Sequence, residues 1–300
     1  MYCGFIRLYS GRLDRKKTLY DDRESSERYR TEKTLQKKRR YTGVIAGVNT
    51  GVKKERYILL DIMRGCCLIS MILFHATWDC VYLFGVNVPW FGKTPGYIWQ
   101  QSICWGFILL AGFCILFGRK PIRHGLTVFI CGAVLTAVTC FFLPDSRVIF
   151  GVLTLLGSCM LLTALLDKYL RKIQAVWGIS GCVLLFLVFR DINEGFLGFE
   201  GLRVASVPDF FYRNYITTFL GFPMAGFTSV DYFSLFPWLF LFLTGYFAHF
   251  AVMKGKGEMW LKKGGGRVLP WLGRHSLLVY MAHQPVIYVI LTVFFHFRSA

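Results

Sequence analysis

Asp61, Arg64, His75 and Asp79 stand at successive gaps of three, eleven and four residues along one apolar run. On a helix of about 3.6 residues per turn these gaps keep all four near one face, and Asp61 to Asp79 is about five turns. An imidazole four residues before a carboxylate can donate to it from one ring nitrogen. That fixes the tautomer, so the other nitrogen can take a proton from a hydroxyl or amine as a general base. The same pair would also serve as a proton relay in a transporter. It could supply two metal ligands, although no third stands at a suitable spacing. Asp61 with Arg64 reads either as part of this stripe or as an ion pair at the membrane surface, and His75 either as a base or as an interhelical hydrogen-bonder.

Two further runs bring polar residues to the same membrane. One carries Trp99, Gln100, Gln101 and Ser102 at its start; the last carries Arg274, His275 and Ser276, then His283 and Gln284. Counted at about 1.5 Å per residue from Ile58, Arg64 lies roughly 9 Å deep and His75 roughly 25 Å. The same count along the last run, taken to enter from the same inner face at Arg274, puts His283 and Gln284 roughly 12 Å deep, near the level of Arg64. The expectation is two polar clusters, one per leaflet, joined by the first helix. His283 and Gln284 read either as part of a site or as glue between helices.

The elements that hold these residues must be membrane spans. Hydrophobic residues make up 55% of the 300, charged ones 17%, and mean hydropathy is +0.47, far too apolar for a soluble fold. Seven runs approach the roughly 20 residues a span needs: 58 to 84, 97 to 117, 124 to 143, 148 to 166, 173 to 189, 232 to 252 and 275 to 297, the fifth being short. The fold class expected is all-α, a polytopic bundle of about seven spans. Cytoplasmic loops are enriched in Lys and Arg. From a cytoplasmic N-terminus, the inner loops hold twelve (Arg119, Lys120, Arg123, Lys168, Arg171, Lys172, Lys254, Lys256, Lys262, Lys263, Arg267 and Arg274), and the outer ones six (Lys93, Arg147, Arg190, Arg203, Arg213 and Arg298). The alternation places the C-terminus outside.

Residues 1–55 read as a basic, disordered cytoplasmic tail and 56–297 as the membrane domain. The first 56 residues carry sixteen basic against seven acidic side chains, half of the net +18. That basicity suits orientation in a membrane; no stacking motif or basic recognition helix points to nucleic acid. Eight of the ten cysteines lie inside apolar runs without any CxxC pair, so they read as small core residues and neither bridges nor zinc ligands. Residues 190 to 231 interleave nine aromatics with Gly, Pro and charge, which reads as an interfacial segment, either a lid or an aromatic belt. No P-loop, dinucleotide-binding glycine pattern or GxSxG elbow occurs, against nucleotide hydrolysis and serine-hydrolase chemistry.

Several short motifs, in order, resemble the heparan-alpha-glucosaminide N-acetyltransferase catalytic-domain family in its bacterial branch. They are Arg56-x4-Asp61-x2-Arg64-Gly65, Phe74-His75, Phe107 to Gly112, Phe150-Gly151-Val152-Leu153, Asp231 to Trp238, and Trp271 to Leu277 with His283-Gln284-Pro285. The resemblance covers roughly residues 56 to 296 and implies a multi-pass acyltransferase of the cytoplasmic membrane. Such an enzyme takes acetyl from cytoplasmic acetyl-CoA, a co-substrate, and passes it to a sugar or glycan on the far side; no metal is implied. Eukaryotic members carry Asn where His75 stands and a catalytic His in the following loop, so His75 is placed here by chemistry and position.

On that reading His75 is the general base, oriented by Asp79. Arg64 and His283, with Asp61 and Gln284, hold the acyl donor or stabilise the developing oxyanion, and Gln100 and Gln101 contact the acceptor. The alternative is a proton-coupled transporter or flippase using His75 and Asp79 as a relay. A purely structural membrane partner would leave the buried charges without a reason. An oligomer stays open.

Overall fold

The computed structural model describes residues 57–254 and 257–299, and the expected tail, 1–55, lies outside them. Seven helices in it are long and apolar enough to cross a bilayer. They include α1 (Ile58–Tyr82), α2 (Thr94–Cys114, extended by a 3-10 turn to Phe117), α3 (Pro121–Phe142), α4 (Val152–Leu170) and α5 (Ala175–Val188). After the connection come α6 (Tyr215–Leu220), α7 (Leu235–Met253), α8 (Gly257–Leu261), α9 (Val268–Arg274) and α10 (Ser276–Ser299). The weak fifth run is a span because a 3-10 turn, Ile192–Glu194, continues it, giving 20 residues from Ala175 to Glu194. Proline occupies the first turn of both α2 and α3, where the N–H it lacks would have no partner anyway.

Glycines decide which helices touch. A Cβ on Gly112 of α2 would strike the carbonyl of Phe242 on α7, and one on Gly245 of α7 would strike that of Leu109 on α2. The same reciprocity joins α3 to α4, where a Cβ on Gly132 would come within 2.7 Å of the Thr154 backbone nitrogen and one on Gly157 within 2.5 Å of that of Phe129. It also joins α1 to α9, through Gly65 against Leu269 and Gly273 against Asp61. In lipid no hydrophobic force drives helices together, so backbone approach at small residues supplies the packing. About half of α4 and α7 is buried, against about a tenth of α10, which makes α4 and α7 the centre of the bundle.

The connections meet at two ends. Tyr57 donates to Glu258 (3.2 Å) and packs at a tilt against Phe117, ring centroids 4.6 Å apart, gathering one end, which carries most of the loop lysines and arginines and is called the basic end below. At the opposite end Arg147 donates to Thr228 (2.7 Å), Ile149 to Ser229 (2.9 Å), and Phe233 to the Phe150 carbonyl (2.9 Å).

The long aromatic connection is more ordered than its composition suggests. It folds as an antiparallel hairpin, β1 (Phe196–Phe199) with β2 (Leu202–Ser206), followed by α6. Asn214 and Thr217 close a reciprocal capping box on α6.

Candidate functional site

The polar stripe on α1 meets α10. Asp79 is fully buried, and its two oxygens accept from Gln284 Nε2 at 2.9 and 3.2 Å. His75 packs edge to face on His283, ring centroids 4.9 Å apart. Two expectations change. Among the described residues no hydrogen bond joins His75 to Asp79: the carboxylate is taken by Gln284, and the imidazole turns toward α10. Nor are His283 and Gln284 level with Arg64, which lies about 16 Å away along α1. Counting depth from the loop fails because the loop is itself helical. α9 packs against α1 at Gly65 and Gly273, so α10 starts well inside the bundle.

Arg64 and Asp61 form their own pair, 3.6 Å apart, near the basic end. The sequence-level group of Arg64, His283, Asp61 and Gln284 is thus divided: an ion pair in one half of the bundle and a His–His, Asp–Gln seam in the other.

Two atoms of the seam are buried without any partner, His283 Nε2 and Gln284 Oε1. The other ring nitrogen of His283, Nδ1, makes a short contact with the Tyr280 carbonyl one turn earlier. That contact fixes the ring so that the free nitrogen faces the interior. Pro285 follows directly and cannot donate back to Met281, loosening α10 at this point. With Nδ1–H on the Tyr280 carbonyl, the neutral ring leaves Nε2 as an acceptor beside the acceptor Gln284 Oε1, and two acceptors left open side by side in a buried place mark where a guest with hydroxyl or amine donors would sit.

The seam extends to a residue not anticipated as functional. Tyr280 lies 5.3 Å from the His283 ring and donates to Asp231 (3.4 Å), which also accepts from the Val152 N–H (3.4 Å) at the start of α4. Burial holds the Asp231 carboxyl above the usual carboxylate range, against these two hydrogen bonds. Phe150, just before α4, adopts φ +56°, a left-handed conformation that costs a non-glycine residue energy and often accompanies functional sites. The signal in sequence was the motif Asp231 to Trp238, which showed only that the segment mattered.

Gln100 is exposed. Gln101 points inward, its Oε1 accepting from Trp105 (3.1 Å) and from Arg190 (3.0 Å). Arg190 was expected only as a loop charge. Its side chain is 13% exposed, pairs with Glu200 at 3.3 Å and donates to the Tyr97 hydroxyl at 3.0 Å. Among the described residues no three His, Cys, Asp or Glu side chains converge as metal ligands would.

A seven-helix membrane bundle with a buried polar seam between its first and last spans belongs with multi-pass membrane proteins whose interior does chemistry or transport. The family comparison separates those two. Residues 56–285 match the family described as heparan-alpha-glucosaminide N-acetyltransferase, catalytic, and the chain belongs to that family, which assigns it acetyltransferase activity in general terms. No curated protein and no solved structure matches the chain.

Proposed function

We propose that the chain moves an acetyl group from acetyl-CoA, supplied at the basic, cytoplasmic end, to a hydroxyl or amine of a cell-envelope glycan reached from the opposite end. The bacterial cytoplasmic membrane is its location. The observation that carries this reading is the His75–His283 pair, 4.9 Å apart, beside two buried polar atoms with no partner, in a chain of an acetyltransferase family.

The chemistry follows from these groups. His75 takes the acceptor proton as the acceptor oxygen or nitrogen attacks the thioester carbonyl. His283 in its imidazolium form, with Nδ1–H kept on the Tyr280 carbonyl, presents Nε2–H to the oxygen on which negative charge develops. As the tetrahedral species collapses, the carbon–sulfur bond breaks and the thiolate leaves with the proton held by His75. Gln284 and Asp79 lock α10 to α1 so that the two imidazoles stay in register. Arg64, in the half nearer the cytoplasm and paired with Asp61, suits the phosphates of the donor.

The test uses sealed vesicles with labelled acetyl-CoA on the cytoplasmic face. His75→Ala is expected to lower acetyl transfer about 10²- to 10⁴-fold with the protein still folded. Transfer at the wild-type rate would exclude His75 as the base. Proton-coupled uptake without consumption of acetyl-CoA would favour a transporter instead.

A further inference from the structure

Arg190 sits at the far end of α5 with three oxygens on one nitrogen. Its Nη2 donates to Tyr97 and Gln101 at 3.0 Å each and pairs with Glu200 at 3.3 Å, while Tyr97 donates to both Glu200 oxygens at 2.8 and 2.9 Å. The guanidinium lies over the Trp238 ring, 5.3 Å from its centroid. Its Nε is nevertheless buried without an acceptor. A buried donor left open while its neighbour is crowded calls for an oxygen from outside the chain.

The placement of Glu200 shows that the cluster is built. Glu200 and Gly201 form the two-residue turn between β1 and β2, with φ +50° and +90°. Turns with two positive φ values favour Asn-Gly or Asp-Gly, so a glutamate at the first position is a local cost. The turn is pinned by the Gly201 N–H donating to the buried Asp191 carboxylate at 2.8 Å, and Asp191 is the residue after Arg190. The hairpin is thus fastened to the end of α5 in a way that delivers the Glu200 carboxylate onto Arg190 and Tyr97.

The charge balance selects the guest. An anion would meet Arg190 but be repelled by Glu200, and a cation the reverse. A neutral group that both donates and accepts, such as a pair of adjacent hydroxyls, is served by the open Arg190 Nε, the half-exposed Glu200 oxygens and the Tyr97 hydroxyl. Trp238, beneath Arg190, belongs to the apolar core cluster against which Tyr280 and Cys104, one turn along α2 from Gln101, also pack, so this cluster and the Tyr280–His283 seam border one interior.

We propose that Arg190, Glu200, Tyr97 and Gln101, with the face of Trp238, form the subsite for the acceptor sugar, selecting an uncharged ring with neighbouring hydroxyls. This rests on the acetyltransferase reading given above.

The experiment titrates the purified full-length protein in detergent with methyl glucoside, methyl glucuronide and acetyl-CoA separately, following heat. Wild type is expected to bind the glucoside about tenfold or more tightly than the glucuronide. Glu200→Gln keeps the Tyr97 hydrogen bond but leaves the Arg190 charge uncompensated, and is expected to shift that ratio about tenfold toward the glucuronide. Tyr97→Phe, which removes one hydroxyl only, should weaken the glucoside several-fold and serves if Glu200→Gln elutes misfolded. Absence of sugar binding, or a ratio that neither variant moves, overturns the subsite. Failure of wild type to bind acetyl-CoA while the sugar ratio behaves as described would instead overturn the acetyltransferase reading.

Discussion

The contact between α2 and α7 and the contact between α1 and α10 solve the same problem in opposite ways. At α2 and α7 the helices touch backbone to backbone, glycine against carbonyl, with His249 donating to the Phe113 carbonyl, and among the described residues no buried polar side-chain atom of either helix is left without a partner. At α1 and α10 they are joined by side chains, Gln284 to Asp79, and beside that bond two polar atoms stay buried and open. A lock made of glycines is cheap in lipid and chemically silent. A polar bond in the same place is expensive and leaves groups that can react. The first kind of contact gives the bundle rigidity, and the second is where the proposed function puts its chemistry.

Gly245→Leu should break the silent contact most severely. The new side chain has backbone on two sides, the Leu109 carbonyl and the Phe113 nitrogen, with no flexible atom to give way. The expected loss exceeds about 3 kcal/mol, and the protein should fail to elute as a monodisperse peak in size-exclusion chromatography. A normal elution profile would show that α2 and α7 are not locked as described.

Gln284→Leu attacks the polar contact instead. It keeps the volume but leaves the fully buried Asp79 without its donor, at a cost of about 1–3 kcal/mol. The expected outcome is a folded protein with a lowered melting temperature and strongly reduced acetyl transfer, because α10 is no longer held in register. Loss of activity with the melting temperature unchanged would show instead that Gln284 acts on a substrate.

Asp231→Asn is the mildest of the three. The Asp231 carboxyl stands above its unfolded value, so the folded state binds that proton more tightly than the unfolded state does. Its contribution to stability is therefore fully present below the unfolded carboxylate pKa of about 4, and is lost as pH rises through the higher folded value. Asn can still accept from Val152 and Tyr280 without a charge. The variant should melt higher than wild type near neutral pH, with the gap narrowing toward pH 4. A gap independent of pH would mean that Asp231 is not titrating in this range.

The seven spans and the α1 stripe were legible because each depends on the residues of one helix alone: run length against bilayer thickness, and gaps against the helical period. The partner of Asp79 was not, since it depends on where α10 starts, and α9 reads in sequence as a loop of Gly, Lys and Arg around a few apolar residues. The Arg190 cluster was hidden for a related reason. Glu200 meets Tyr97 only through a hairpin whose strands are four and five residues long, too short to announce themselves among aromatics and glycines. Gln100 and Gln101 looked equivalent, and only the rotation of α2 separates the exposed one from the one bound to Arg190.

The joining of Asp79 to Gln284 also bears on how the protein is made. Membrane helices enter the bilayer in chain order, and these two residues belong to the first and the last of the seven. Until α10 is inserted, α1 waits in lipid with a buried carboxylate that has no donor and an imidazole that has no companion. The His75–His283 pair therefore comes into being only once α10 has joined α1, and an intermediate that lacks α10 lacks the pair.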